Sequence, residues 1–330
     1  MTHLSEPIAI KPITLPNRLV MAPMATAKAD ANGYVTDEVC NYYQERAKYS
    51  KIGLIITEHS YIHPQGKAHP GQTSIASDDT IPALRRLTDC IHREGVHVFA
   101  QLSHAGSAAS SKTTGQPPVG PSPVCHPKQR EELPQEMTIS QIHQVTDWFA
   151  QAALRTRQAG FDGVDLHSAH GYLLNQFFSP LTNRRTDEYG PQTVENRVRF
   201  HQEILRTVRK AVGEDFPIAL RLGGCDYEAG GSTVEDCVEA CRLLAQSGVD
   251  LLHLTGGMNG FIRPGHGEPG YFSDLSAPVK EAVRVPVLLT GGVTAPSQAD
   301  ALLEAGCADL IGVGRAIFKN AHWADSDCSE

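Results

Sequence analysis

Short apolar runs recur along the chain at 18–26, 53–62, 97–106, 163–171, 217–224, 250–257, 286–293 and 308–317. They are apolar nearly throughout rather than alternating, as expected of parallel strands buried on both faces. Between them, 37–50, 79–94, 139–159, 193–212, 233–247, 275–284 and 295–305 carry apolar residues at helical spacing. Start signals precede several of these: Thr36 before Asp37 and Glu38, Ser140, Thr193 before Glu195, Thr233 before Glu235, and Thr294 with Pro296 in the first turn. Gly95, Gly160, Gly213, Gly248 and Gly306 stand where helices should stop. Eight runs alternating with helices predict the α/β class and a single (β/α)8 TIM barrel over residues 1–330. An open doubly wound sheet would call for a glycine-rich first turn, and residues 22–29 read A-P-M-A-T-A-K-A instead. Residues 1–17, punctuated by Pro7, Pro12 and Pro16, read as an N-terminal cover segment.

Three connections are too long to be simple links: 107–138, 171–190 and 256–274. Each follows a predicted strand, so each belongs to the barrel face where active sites are built. The alternative is a surface insertion without a role in the site.

Composition narrows the partners. A net charge of −8 disfavours nucleic acid or an anionic membrane surface. No stretch of about 18 apolar residues occurs, so no membrane span is expected. The opening M-T-H-L-S-E-P has neither the basic nor the apolar part of a signal peptide, and a cytoplasmic location follows by default. What remains is a small-molecule substrate, with homo-oligomerisation left open. The 8 cysteines (Cys40, Cys90, Cys125, Cys225, Cys237, Cys241, Cys307 and Cys328) form no C-x-x-C pair and read as thiols.

The chemistry gathers in 163–190, where an apolar strand ends in His167, His170 and Tyr172. Two histidines three apart are often core side chains, or half of a zinc site, but no Cys or Glu stands at a spacing that completes one. No metal is expected. The last two runs end in T-G-G-V (290–293) and G-V-G-R (312–315). Glycine backbone beside Arg315, after strands seven and eight, is the pattern of a phosphate site in a barrel. Gln101 ends the third run, and Arg221 sits inside the apolar fifth. A buried arginine needs a partner: an anion in the barrel mouth, or a buried acid such as Asp165 or Glu58.

H-x-x-H-G-Y followed by the long ordered run 175–190 resembles the old yellow enzyme family of FMN-dependent ene-reductases, in particular its thermophilic-type branch and the N-terminal barrel of 2,4-dienoyl-CoA reductase. The resemblance covers nearly the whole chain. It implies noncovalent FMN, NADPH or NADH as electron donor, and reduction of activated C=C bonds. By it, Ala22, Pro23, Met24 and Ala25 adjoin the isoalloxazine, with His59 beside them. Gln101 bonds the pyrimidine edge and Arg221 faces the electron-rich side of the reduced ring. Gly291, Gly292, Gly314 and Arg315 hold the phosphate. His167 and His170 bind the substrate's activating oxygen, and Tyr172 donates the proton. A flavin barrel with another acceptor or an oxidative direction, or a redox partner with little turnover, is the alternative. The chain departs from the family pattern at Ala25 (usually Cys or Thr), Ala27 (a pocket Tyr in the thermophilic-type branch) and His59 (usually small). It is also read as departing from its relatives in carrying neither the cluster-binding cysteines of dienoyl-CoA reductase nor the C-terminal arginine that some family members insert into a neighbour's site.

Overall fold

The computed structural model describes residues 3–127 and 131–324. Eight parallel strands close into a barrel: β1 (Leu19–Met21), β2 (Leu54–Ile56), β3 (His97–Ser103), β4 (Gly163–Ser168), β5 (Ile218–Cys225), β6 (Leu251–Gly256), β7 (Val287–Thr290) and β8 (Leu310–Val313). Each pairs with the next, and β8 pairs with β1 to complete the ring. The helices that follow are α1 (Asp37–Tyr49), α2 (Ile81–His92), α3 (Ile139–Gln158), α4 (Val194–Val212), α5 (Val234–Gln246), α6 (Ser273–Ala282), α7 (Pro296–Glu304) and α8 (Arg315–Lys319). The predicted fold is therefore the observed one.

Two apolar layers hold it. Helix faces pack on the outside of the strands through side chains such as Phe149, Phe200, Ile204 and Leu244. Inside the barrel, Val20, Leu54, Ile56, Phe99, Ala219, Leu251, Leu288 and Leu310 form a separate core. The hairpin Ile8–Ile10/Ile13–Leu15 closes that core from the N-terminal end with Ile10 and Leu15. Gly163 in β4 is required by this packing. A β-carbon there would lie 2.6 Å from the ring of Phe99, its register partner in β3.

Two expectations need correction. Helix α3 is capped by Thr138, not Ser140, because Gln141 returns a bond to the Thr138 backbone and forms a capping box. The eighth run stops at Val313. Gly314 breaks the strand, and Arg315 opens α8. The five glycine stops all have positive φ, between 71° and 92°. Cys40, Cys90, Cys125, Cys225, Cys237, Cys241 and Cys307 are free thiols, and Cys328 lies outside the described residues.

Candidate active site

A cavity of about 1020 Å³ opens at the C-terminal end of the barrel, and all fourteen residues anticipated for the site line it: Ala22, Pro23, Met24, Ala25, His59, Gln101, His167, His170, Tyr172, Arg221, Gly291, Gly292, Gly314 and Arg315.

One end is built by the β4 loop. His167 is the penultimate residue of β4, and Tyr172 precedes the short helix Leu173–Phe178. The two bends between them require left-handed backbone at His170 (φ 58°) and Gly171 (φ 79°). A β-carbon on Gly171 would lie 2.2 Å from His126. Buried amides lock the turn: Asn175 Oδ1 accepts the Gly171 N–H at 2.8 Å, and Gln176 donates to the Gly171 and Ala105 carbonyls while accepting from Ser107. His167 consequently stands edge-on to Tyr172 (centroids 4.9 Å apart) and to His170 (5.4 Å), and His170 Nε2 lies 3.1 Å from Thr255 Oγ1. Burial, with help from His170 and Arg221, holds the His167 pKa well below the usual imidazole value. Burial pushes Tyr172 up to about 12. At neutral pH the pair is a neutral imidazole and an intact phenol.

The middle of the cavity rests on polar side chains from consecutive strands. Gln101 donates to Asp165 Oδ2 at 2.7 Å, and His253 Nδ1 stands 3.4 Å from the same oxygen. Glu58 is bonded by Thr26 and Thr73. Neither carboxylate named as a partner hydrogen-bonds Arg221, although Asp165, whose Oδ1 is left without a partner, acts on it through its field. Arg221 donates weakly to Thr290 Oγ1 at 3.5 Å, and its Nε has no partner. Burial lowers its pKa to about 10, against the favourable field of Asp165, so it remains charged.

At the other end, the β7 turn has φ 140° at Gly291 and 74° at Gly292, and β-carbons there would strike Tyr271. Arg315 donates to Tyr271 Oη at 3.2 Å, and Tyr271 in turn donates to the Phe261 carbonyl at 2.7 Å. Lys319 adds a second cation. Among the described residues no Asp or Glu lines the cavity, and no group of three or more His, Cys, Asp or Glu is arranged to hold a metal ion.

The structure adds lining residues that the pattern did not reveal: His69, His126, Thr255, Phe261, Ile262, His266, Tyr271, Thr290 and Trp323 among them. Most come from loops, where no periodicity points to a face. The long connections after β3 and β6 were the available signal, since both send residues here. Ala27 is not among the lining residues. It adopts φ 55° against Gly71, where a β-carbon would meet its carbonyl at 2.5 Å.

The chain matches the model of the NADH:flavin oxidoreductase / NADH oxidase family over residues 3–326. It belongs to that family. It is 37% identical over 318 residues to an NADH oxidase of Thermoanaerobacter brockii, covering 94% of this chain and 48% of that protein. It is 39% identical over 321 residues to a metal reductase of Desulforamulus reducens, covering 96% and 47%. The chain therefore spans about half the length of these curated relatives. A 2-naphthoyl-CoA reductase structure superposes with TM-score 0.92 at 29% identity (99% of this chain, 52% of that one). An old yellow enzyme homologue from Zymomonas mobilis gives 0.84 at 28% (96% and 90%). The old yellow enzyme resemblance of the H-x-x-H-G-Y stretch is thereby borne out. FMN and a nicotinamide nucleotide are the cofactors of the family. The residues present fit FMN: Arg221 and Arg315 offer cationic donors at the middle and one end, the left-handed glycines bare their backbone, and the cavity lies at the top of the usual size range for ligand sites, about 300–1,000 Å³. No helix of the described residues is long and apolar enough to cross a membrane.

Proposed function

We propose that this chain is an FMN-binding barrel that oxidises NADPH or NADH and reduces activated C=C bonds in small molecules such as enones, enals and nitroalkenes. The observation that carries this reading is one cavity holding two histidines and a half-buried phenol at one end, a buried arginine in the middle, and a glycine–arginine cradle at the other. FMN, when bound, supplies the hydride chemistry between nicotinamide and alkene. The protein's part is orientation and charge.

Arg315 and the Gly291, Gly292 and Gly314 backbone hold the phosphate. Ala22, Pro23, Met24 and Ala25, which line the same cavity, would adjoin the ring system when FMN is bound, and Gln101 would offer it an amide. Arg221 keeps a positive charge where an electron-rich ring system needs one. His167 and His170 bind the oxygen that activates the alkene and stabilise the negative charge developing there. His167 does so as a neutral donor, because burial and the Arg221 charge keep it unprotonated. Tyr172, fully protonated at working pH, gives its phenolic proton to the α-carbon as general acid. Phe261 and Ile262, exposed at the cavity rim, provide apolar contact for the substrate body.

The decisive experiment is anaerobic reduction of the flavin-loaded protein by NADPH and by NADH, then reoxidation by a panel of enones. Rapid reduction without reoxidation by any activated alkene would replace this reading with a flavin barrel serving another acceptor. The metal reductase relative gives that second reading its footing.

A further inference from the structure

Gln72 is fully enclosed, and its amide orientation is fixed twice. Its Oε1 lies 2.7 Å from the Ala68 N–H, which can only donate. Its Nε2 lies 3.0 Å from the His59 carbonyl, which can only accept. The same NH2 group reaches His59 Nδ1 at 2.7 Å and Ser103 Oγ at 3.3 Å. His59 Nδ1 must therefore present its lone pair, and a neutral imidazole with a lone pair on Nδ1 carries its proton on Nε2. The ring is also held neutral. Burial, followed by the fields of His69 and Arg221, lowers its pKa to about 3.

The position of the ring assigns it to one end of the cavity. His59 lies nearly parallel to His167, 12° between planes and 6.0 Å between centroids, and 5.2 Å from the Tyr172 ring. His69 meets it edge-on at 5.6 Å, with its own Nδ1 donating to the Pro70 carbonyl at 2.8 Å. His59 lines the cavity, and Gln72 occupies its Nδ1 edge.

We propose that Gln72 fixes His59 as an Nε2–H donor, and that His59 serves as a third N–H beside His167 and His170 for the activating oxygen of the acceptor, not as a flavin contact. The proposal rests on the acceptor site described above. Its physical content is preorganisation. A donor whose tautomer is set before substrate arrives needs no proton shift or rotation when charge develops, which is how fixed donors stabilise an oxyanion. A free imidazole would divide between two tautomers and offer a lone pair part of the time.

The test uses the flavin-loaded protein with 15N-labelled histidine and a para-substituted phenolate as a stable oxyanion mimic. In the wild type, the His59 nitrogens should show a protonated Nε2 and an unprotonated Nδ1, unchanged between about pH 6 and 8.5, a span that brackets the free imidazole pKa. Gln72→Leu should mix the tautomers while leaving the ring in place, and should weaken the phenolate. His59→Phe, which keeps the ring, should weaken it by about tenfold, the low end for a hydrogen bond to a charged group. The ligand-free flavin potential of His59→Phe should match the wild type. A protonated Nδ1 in the wild type would overturn the proposal. So would unchanged phenolate affinity in His59→Phe alongside a loss in His170→Ala. So would a shifted potential with unchanged phenolate affinity, which would assign His59 to the flavin. If His170→Ala also binds phenolate normally, the acceptor site itself is misassigned.

Discussion

Replacing Arg315 by alanine tests the proposed phosphate end of the site. Its guanidinium projects from the first turn of α8, is exposed, and holds one protein partner, Tyr271 Oη at 3.2 Å. A hydrogen bond to a charged group is worth about 1.5–3 kcal/mol. Because Arg315 is solvated before it meets an anion, the lower figure applies, and about 1.4 kcal/mol is a tenfold change in Kd. FMN should therefore bind Arg315→Ala about tenfold more weakly, with the deficit shrinking as salt screens the contact. Fluorescence titration of the apoprotein reads this directly, and riboflavin provides the control because it has the ring without the phosphate. Riboflavin affinity should not change. Equal losses for FMN and riboflavin would mean that Arg315 supports the fold of the β8 turn. No loss for either would remove it from the site. Tyr271→Phe separates the two contributions: it frees Arg315 from its hydrogen bond to Tyr271 and should leave FMN affinity equal or slightly higher.

Tyr172→Phe should leave flavin reduction by NAD(P)H near normal and slow reoxidation by several enones in stopped-flow measurements; the reverse pattern would make Tyr172 part of the nicotinamide pocket. Truncating His170 to alanine should slow the enone half-reaction by about 10²–10³, the usual loss for one oxyanion donor, and a smaller effect would point to solvent replacing it. In pH profiles, the raised pKa of Tyr172 keeps the acid form present up to about 12, and the lowered pKa of His167 keeps that ring neutral above the normal histidine range. The enone half-reaction should accordingly be flat from about pH 6.5 to 9, and a break near 6.5 traced to His167 would contradict its neutral state. Arg185→Met should lower the unfolding free energy by about 1–3 kcal/mol, because the buried Pro121 and Met137 carbonyls lose their donor and the half-buried Asp187 loses its cation; differential scanning calorimetry would show an unchanged Tm if the contact were incidental.

The barrel was legible because buried parallel strands are nearly uniform apolar runs, which little else in a protein produces. The run at 308–317 was read too long for the same reason: Ala316 and Ile317 continue the apolar pattern after the backbone has turned at Gly314. Ser140 and Thr138 offered rival caps, and only the position of Gln141 decides between them. Residues at strand ends could be assigned to the site from their place in the repeat, and each lines the cavity. His69 and His126 could not, because they ride on loops whose course is set by tertiary bonds. The partner of Arg221 was likewise beyond the sequence. It depends on Asp165 being taken by Gln101 and His253, and Glu58 by Thr26 and Thr73.

Arg185 has a consequence for how such a cavity could diversify. Its buried guanidinium binds Asp187 within the β4 loop and, across a gap in sequence, the carbonyls of both Pro121 and Met137. Backbone bonds from Gln135 to Pro118 and from Met137 to Gly120 fasten the same two stems together. The segment between them is thus an appendage on a fixed base, and among its described residues His126 alone reaches the cavity. Among the described residues, the appendage meets the turn carrying His167, His170 and Tyr172 through His126, which packs on Gly171, so changes elsewhere in its length or composition would be absorbed at the stems. One wall of the proposed acceptor pocket can drift while the proposed proton donor and its neighbours keep their places, which would separate the inheritance of substrate range from that of the chemistry.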